Sequence, residues 1–105
     1  KGNIICQNSI IQPGCKLGNF NILNLDVKIG PLVKIGNFNT INANSFIGSE
    51  AKILNFNYFG MSLNIFPRIK VGSSNKIGAV SLINKDIKNY LKAFGIPLYK
   101  KNQNK

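Results

Sequence analysis

An apolar residue recurs at every sixth position from Ile5 to Ile83, a second pattern returns every eighteen residues, and glycines and small residues keep fixed places in both. Together these observations predict an all-β chain wound as a parallel solenoid of hexapeptide repeats. The six-residue series is Ile5, Ile11, Leu17, Leu23, Ile29, Ile35, Ile41, Ile47, Ile53, Phe59, Ile65, Val71, Ile77 and Ile83, fourteen apolar positions of which thirteen are Ile, Leu or Val. Six is a multiple of the two-residue strand repeat but not of the helical turn of about 3.6 residues, so a helix would scatter these side chains around its surface. Short strands joined by tight corners keep them on one side, each run pointing one aliphatic residue inward.

The period of eighteen makes three hexapeptides one coil. The chain divides into LGNFNILNLDVKIGPLVK (17–34), IGNFNTINANSFIGSEAK (35–52), ILNFNYFGMSLNIFPRIK (53–70) and VGSSNKIGAVSLINKDIK (71–88), with residues 1–16 as a worn first copy. Equivalent residues of successive coils lie about 4.8 Å apart. Asn3, Asn21, Asn39, Asn57 and Asn75 therefore form a column at one corner, close enough for their amides to hydrogen-bond along the stack. Phe20, Phe38 and Phe56 form a second column, and Lys16, Lys34, Lys52, Lys70 and Lys88 a third.

The corners have their own signature. Two residues before each inward aliphatic the side chain is mostly small (Ser9, Cys15, Ser45, Ala51, Ser81, with Val27 and Val33), and Leu63 and Ile69 are the bulky exceptions. Gly18, Gly30, Gly36, Gly48, Gly60, Gly72 and Gly78 follow the aliphatic directly, where a tight turn is expected to demand them. The phase stops after Ile83, so the expected organisation is one β-helix domain over residues 1–88 and a capping tail over 89–105. The chain starts at Lys1 without a Met or a segment covering the first coil, and further chain upstream is expected.

Composition narrows the function classes. No run approaches the ~20 apolar residues of a membrane span, and no charged-then-apolar leader is present. Cys6 and Cys15 lack metal or redox spacing and there is no His, so they read as small, partly buried side chains of a reducing, cytoplasmic compartment, with no metal site. An ice-binding β-helix needs ranks of Thr, and Thr40 is the only one. Fourteen Lys plus Arg against three acids give a net charge of +11. This balance serves either attraction to phosphates, sugar nucleotides or an anionic polymer, or a solvated lysine ladder that keeps solenoid faces apart. Nucleic acid is disfavoured, because the Phe column is not interleaved with Arg and Arg68 is the only one. Few aliphatics serve many ordered residues, so burial of an outer wall against copies of the chain is expected.

Residues 29–100 resemble, without a gap, the catalytic half of hexapeptide-repeat acyltransferases of the sialic-acid O-acetyltransferase and UDP-amino-sugar N-acetyltransferase type. The stretch IGAVSLINKDIKNYLKAFGIPLYK (77–100) is similar to the family ending IGAGAVVTKDI…VVAGVPAK. The resemblance implies a single-stranded left-handed parallel β-helix of about five coils, a homotrimer, and acetyl-coenzyme A as substrate in the groove between neighbouring prisms. A bacterial sugar or sugar nucleotide would be the acceptor. It points to Gly60, Gly78, Ala79, Lys85, Gly95 and Pro97 as coenzyme contacts. Family enzymes use a His followed by an acid as general base, but this chain has Pro31 and Leu32 there, and Val80 replaces the second Gly of the coenzyme-binding turn. Asp26 is the one candidate substitute base, against its plainer reading as a corner residue. The competing function is a trimeric scaffold or binding module that no longer turns over.

Overall fold

The computed structural model of the chain describes residues 1–100, with side chains to residue 98. The last part of the expected tail, residues 101–105, lies outside the described residues. The molecule is a rod of 41 × 21 × 20 Å made of strands and corners. The first coil holds β1 (Ile4–Ile5), β2 (Ile10–Ile11) and β3 (Lys16–Leu17). The second holds β4 (Ile22–Leu23), β5 (Lys28–Ile29) and β6 (Lys34–Ile35), and the third β7 (Thr40–Ile41), β8 (Phe46–Ile47) and β9 (Lys52–Ile53). The fourth holds β10 (Tyr58–Phe59), β11 (Asn64–Ile65) and β12 (Lys70–Val71); the fifth, β13 (Lys76–Ile77) and β14 (Leu82–Ile83), closes through a bridge from Val71 to Ile87. Strands β15 (Lys92–Phe94) and β16 (Tyr99–Lys100) follow.

These strands form three flat walls. The first runs β1-β4-β7-β10-β13-β15-β16, the second β2-β5-β8-β11-β14 and the third β3-β6-β9-β12. Pairing is parallel at a spacing of eighteen, as in Leu23 against Ile41 and Ile47 against Ile65. The fifth coil is two residues shorter at the corner after β14, so Ile77 pairs with Ala93 and Val71 with Ile87. One column expected from the sequence changes accordingly: Asp86, whose carboxylate accepts from the Lys70 N–H at 2.8 Å, follows Lys70, and Lys88 has moved into the next corner. Chain reversal after Phe94 lays β16 antiparallel on β15, and Leu91 and Leu98 pack against the end of the core.

The interior is fuller than one aliphatic per run. The residue two before each series member also points inward, so Val27, Val33, Leu63 and Ile69 are buried beside Ile29, Ile35, Ile65 and Val71. From Leu23 to Ile83 the series is buried throughout. Ile5 and Ile11 depart from the expectation at 46% and 37% exposed, because the first coil has a neighbouring coil on one side only.

The glycines after the aliphatics are not turn residues in the expected sense. Left-handed φ falls two residues later, on Phe20 (58°), Leu32 (62°), Phe38 (59°), Glu50 (62°) and Ser62 (55°) among others. A Cβ on Gly60 would come within 2.5 Å of the Ala79 nitrogen, and one on Gly36 would strike the Leu54 carbonyl at 2.5 Å. Glycine is needed there for the close approach of stacked coils.

The Asn column is buried and bonded as expected. Asn39 Oδ1 accepts from the Asn57 N–H and Nδ2 at 2.9 and 3.0 Å, and Asn39 Nδ2 donates to Asn21 Oδ1 at 3.1 Å and to the Leu54 carbonyl at 2.8 Å. A second ladder of opposite polarity sits at the same corner: the Asn19 N–H donates to Asn37 Oδ1, and the Asn37 N–H to Asn55 Oδ1, both at 2.7 Å. The Phe rings outside this corner stack at centroid distances of 5.2 and 5.1 Å.

Candidate functional site

Every corner turns on two residues, the second of which carries the left-handed φ where a residue of the six-step phase is kept, as in a type II turn. What distinguishes the three corners is the fate of the first residue's N–H. Between the second and third walls that residue is Pro13, Pro31 or Pro67, which has none, except in the third coil, where it is Ser49, whose N–H has no hydrogen-bond partner within the described residues. Between the third and first walls it is Asn19, Asn37, Asn55 or Ser73, whose N–H is taken by the second side-chain ladder. Between the first and second walls it is Gln7, Leu25, Ala43, Met61 or Ala79, and these N–H groups have no hydrogen-bond partner within the described residues.

That third kind of corner carries a groove of about 530 Å³ lined by Asn24, Leu25, Asn42, Ala43, Tyr58, Gly60, Met61, Lys76, Ile77, Gly78 and Ala79. Its size falls within the range of about 300–1,000 Å³ usual for small-ligand sites. One column crosses it as Asn24, Asn42, Gly60 and Gly78, so side chains fill one end and bare backbone floors the other. Asn24 Nδ2 donates to Asn42 Oδ1 at 2.5 Å, and Asn42 Nδ2 donates to the Phe59 carbonyl at 2.9 Å, which fixes both amides. The Lys76 amine stands 5.9 Å from the centre of the Tyr58 ring, a cation–π pair at the rim.

Three of the six expected coenzyme contacts, Gly60, Gly78 and Ala79, meet in this groove. Lys85 and Pro97 line a separate hollow of about 230 Å³ with Asn84, Asp86, Ile87 and Leu98. Gly95, at φ 115°, lies between the two: its N–H donates to Ser81 Oγ at 3.0 Å and its carbonyl accepts from the Leu82 N–H at 2.9 Å. Pro31 is exposed at the opposite edge of the second wall, its carbonyl accepting from the Glu50 N–H at 2.9 Å. Asp26 occupies the left-handed turn position (φ 59°) beside Leu25, its N–H donating to the Gln7 carbonyl at 3.0 Å. Tyr58, Lys76, Asn24 and Asn42 were not singled out by the sequence. The signal for them is positional: Lys76 and Tyr58 stand two residues before Gly78 and Gly60, hence on the same outer side of the strand.

No protein-family model matches the chain, and no curated protein matches it in sequence. Solved structures do match it in fold. Serine acetyltransferase from Neisseria gonorrhoeae superposes with a TM-score of 0.82 at 24% identity over 90% of this chain. The N-acyltransferase AntD from Bacillus cereus, solved as a mutant with dTDP-4-amino-4,6-dideoxyglucose and coenzyme A, gives 0.85 at 12% identity over 96% of this chain and 76% of its own. The polySia-specific acetyltransferase NeuO gives 0.77 at 19% identity over 95% of this chain and 61% of its own. The chain spans 41% of the length of the Neisseria enzyme. The likeness establishes the fold: a left-handed parallel β-helix of about five coils, shared with acyltransferases of the hexapeptide-repeat kind.

Proposed function

We propose that this β-helix is the coenzyme-binding part of an acetyl-coenzyme A-dependent acyltransferase acting on a sugar or sugar nucleotide. The observation that carries the reading is the row of unpaired backbone N–H groups on Ala43, Met61 and Ala79, stepping down a groove whose floor is opened by Gly60 and Gly78. Donors about one coil apart suit an extended arm bearing amide carbonyls, because each carbonyl then meets a fixed N–H at little cost in reorganisation. The Lys76 ammonium at the rim supplies charge for a phosphate. Gly78 and Ala79 begin the stretch similar to the family ending, and AntD, of the same fold, was solved with coenzyme A and an amino-sugar nucleotide.

The thioester supplies an activated acetyl group: the acceptor nitrogen or oxygen bonds to its carbonyl carbon, the carbon–sulfur bond breaks, and the acceptor's proton ends on the thiol. This chain's contribution is to hold and orient. Tyr58 and Lys76 are the titratable side chains in the groove, and no imidazole exists to take the proton. Transfer therefore relies on an acceptor that is already neutral, and its rate rises with pH as the acceptor deprotonates.

The apolar residues exposed around the first two walls, including Leu25, Phe46, Tyr58, Met61 and Val80, support assembly as a homotrimer with the groove between neighbours. No helix of the described residues is long and apolar enough to cross a membrane. Free, half-buried Cys6 and Cys15 suit a cytoplasmic protein.

The second reading, a scaffold without turnover, is favoured by Pro31, a corner residue where the family has its base. Calorimetry with acetyl-coenzyme A, light scattering, and transfer to an amino-sugar nucleotide separate the two. Binding by a trimer with measurable transfer supports the enzyme, binding without transfer leaves the scaffold, and absence of binding removes both the coenzyme and the reaction.

A further inference from the structure

On the third wall the outward side chains of β3, β6, β9 and β12 are Lys16, Lys34, Lys52 and Lys70, each directly opposite the next in register. They form a rib along the rod with one amine per coil, about 4.8 Å of rise each. All four are exposed. A shallow furrow of about 570 Å³ runs on one side, where Arg68 joins the lysines and Glu50 is the only acidic residue lining it among the described residues. A second, of about 360 Å³, runs on the other side over Gly18 and Gly36. The rib ends at Asp86, beside Lys70.

Like charges stacked directly opposite one another repel and destabilise the sheet. Keeping solenoid faces apart does not require this arrangement, since alternating signs would keep the wall equally polar without the repulsion. A ladder of one sign, commensurate with the coil and flanked by open furrows, is complementary to a linear ligand with negative charges repeated along the rod. We propose that the third wall binds a linear anionic polysaccharide carrying one carboxylate per sugar ring, lying along the lysine rib. Successive rings of an extended glycan turn about the chain axis, so the carboxylates on the side facing the rib meet every second or third amine while the rest face solvent. Among the described residues no aromatic side chain lines either furrow, so bases would find no stacking platform, and a single Arg leaves little bidentate capacity for phosphates. These two facts favour a glycan over a nucleic acid. The inference rests on the charge of this wall and is independent of acyl transfer at the groove.

The test titrates the full chain with polygalacturonate oligomers at low ionic strength, with neutral dextran and a single-stranded oligonucleotide as comparison ligands. Lys34→Gln with Lys52→Gln removes the middle of the rib, and Lys28→Gln with Lys92→Gln removes the same charge from the other walls. The rib variant should bind polygalacturonate about tenfold more weakly, from the loss of two exposed charges, with a shallower salt dependence. The off-rib variant should lose less than about twofold, because its charges lie outside the binding wall. Removing rib charges relieves repulsion, so thermal melting should show that variant at least as stable as the parent, separating lost binding from lost fold. Equal losses in both variants, equal affinity for the oligonucleotide, or no binding of polygalacturonate would overturn the proposal.

Discussion

Replacing Asn39 by Ala should be among the costliest single changes in the molecule, although it removes only a carboxamide. Asn39 is fully buried. Its Oδ1 accepts from both the backbone N–H and the Nδ2 of Asn57, and its Nδ2 serves Asn21 Oδ1 and the Leu54 carbonyl. Alanine leaves the Asn57 N–H and the Leu54 carbonyl without these partners in a corner packed against the next coil, while Asn21 Oδ1 keeps the backbone N–H of residue 39 at 2.9 Å. Two stranded buried groups at about 1–3 kcal/mol each give a loss of about 2–6 kcal/mol. The comparison is Asn37→Ala in the parallel ladder, which strands only the exposed Asn19 N–H, where water can substitute. That change should cost about 1 kcal/mol. Urea unfolding followed by circular dichroism, at one fixed protein concentration because assembly adds to apparent stability, measures both. Losses that are equal in the two variants, or a loss under about 1 kcal/mol for Asn39→Ala, would refute the reasoning that side-chain ladders hold the corners.

The left-handed turn position gives the opposite sign. Leu32, exposed at φ 62°, should yield a more stable protein by about 0.5–1 kcal/mol when changed to Gly, visible as a raised urea midpoint. Gly36→Ala should destabilise by at least about 1–3 kcal/mol in the same assay, since its Cβ meets the Leu54 carbonyl and Asn55 Oδ1 of the next coil. Pro31→His with Leu32→Asp, which puts the base and acid implied by the resemblance at the edge that a neighbouring subunit's groove would meet in a trimer, should raise acetyl transfer about 10²-fold and flatten its rise with pH, as stopped-time assays at several pH values would show.

The fold was legible because its cause is periodic. Core, columns and coil length all follow from one aliphatic every six residues, and the register confirms the period for four coils. What misled was the assumption of strict periodicity. Two residues drop out after β14, and with them Lys88 leaves its column for Asp86. Glycines were read as turn residues on general propensity, when left-handed φ falls on residues such as Phe38 and Leu32 and the glycines serve coil contact. The second Asn ladder was visible in the repeated Asn-Phe-Asn but hidden behind the first, since sequence does not say which Asn faces in. For the site, resemblance brought Gly60, Gly78 and Ala79 into view. The free N–H groups of Ala43, Met61 and Ala79 leave no sequence signal of their own, because they stand out only against the Pro that fills most corners between the second and third walls and the Asn ladder between the third and first.

Those free donors allow a substitution that alters function with little else. Ala79→Pro deletes one N–H at a turn position that the neighbouring corner fills with Pro13, Pro31 and Pro67, so the coil should accept it. Calorimetry of acetyl-coenzyme A binding to the parent and to this variant, with melting temperatures alongside, tests the assignment of the groove. The account predicts binding by the parent and an affinity about tenfold weaker for Ala79→Pro at unchanged melting temperature, the loss of one hydrogen bond to the ligand. Unchanged affinity in a variant that melts like the parent would contradict it.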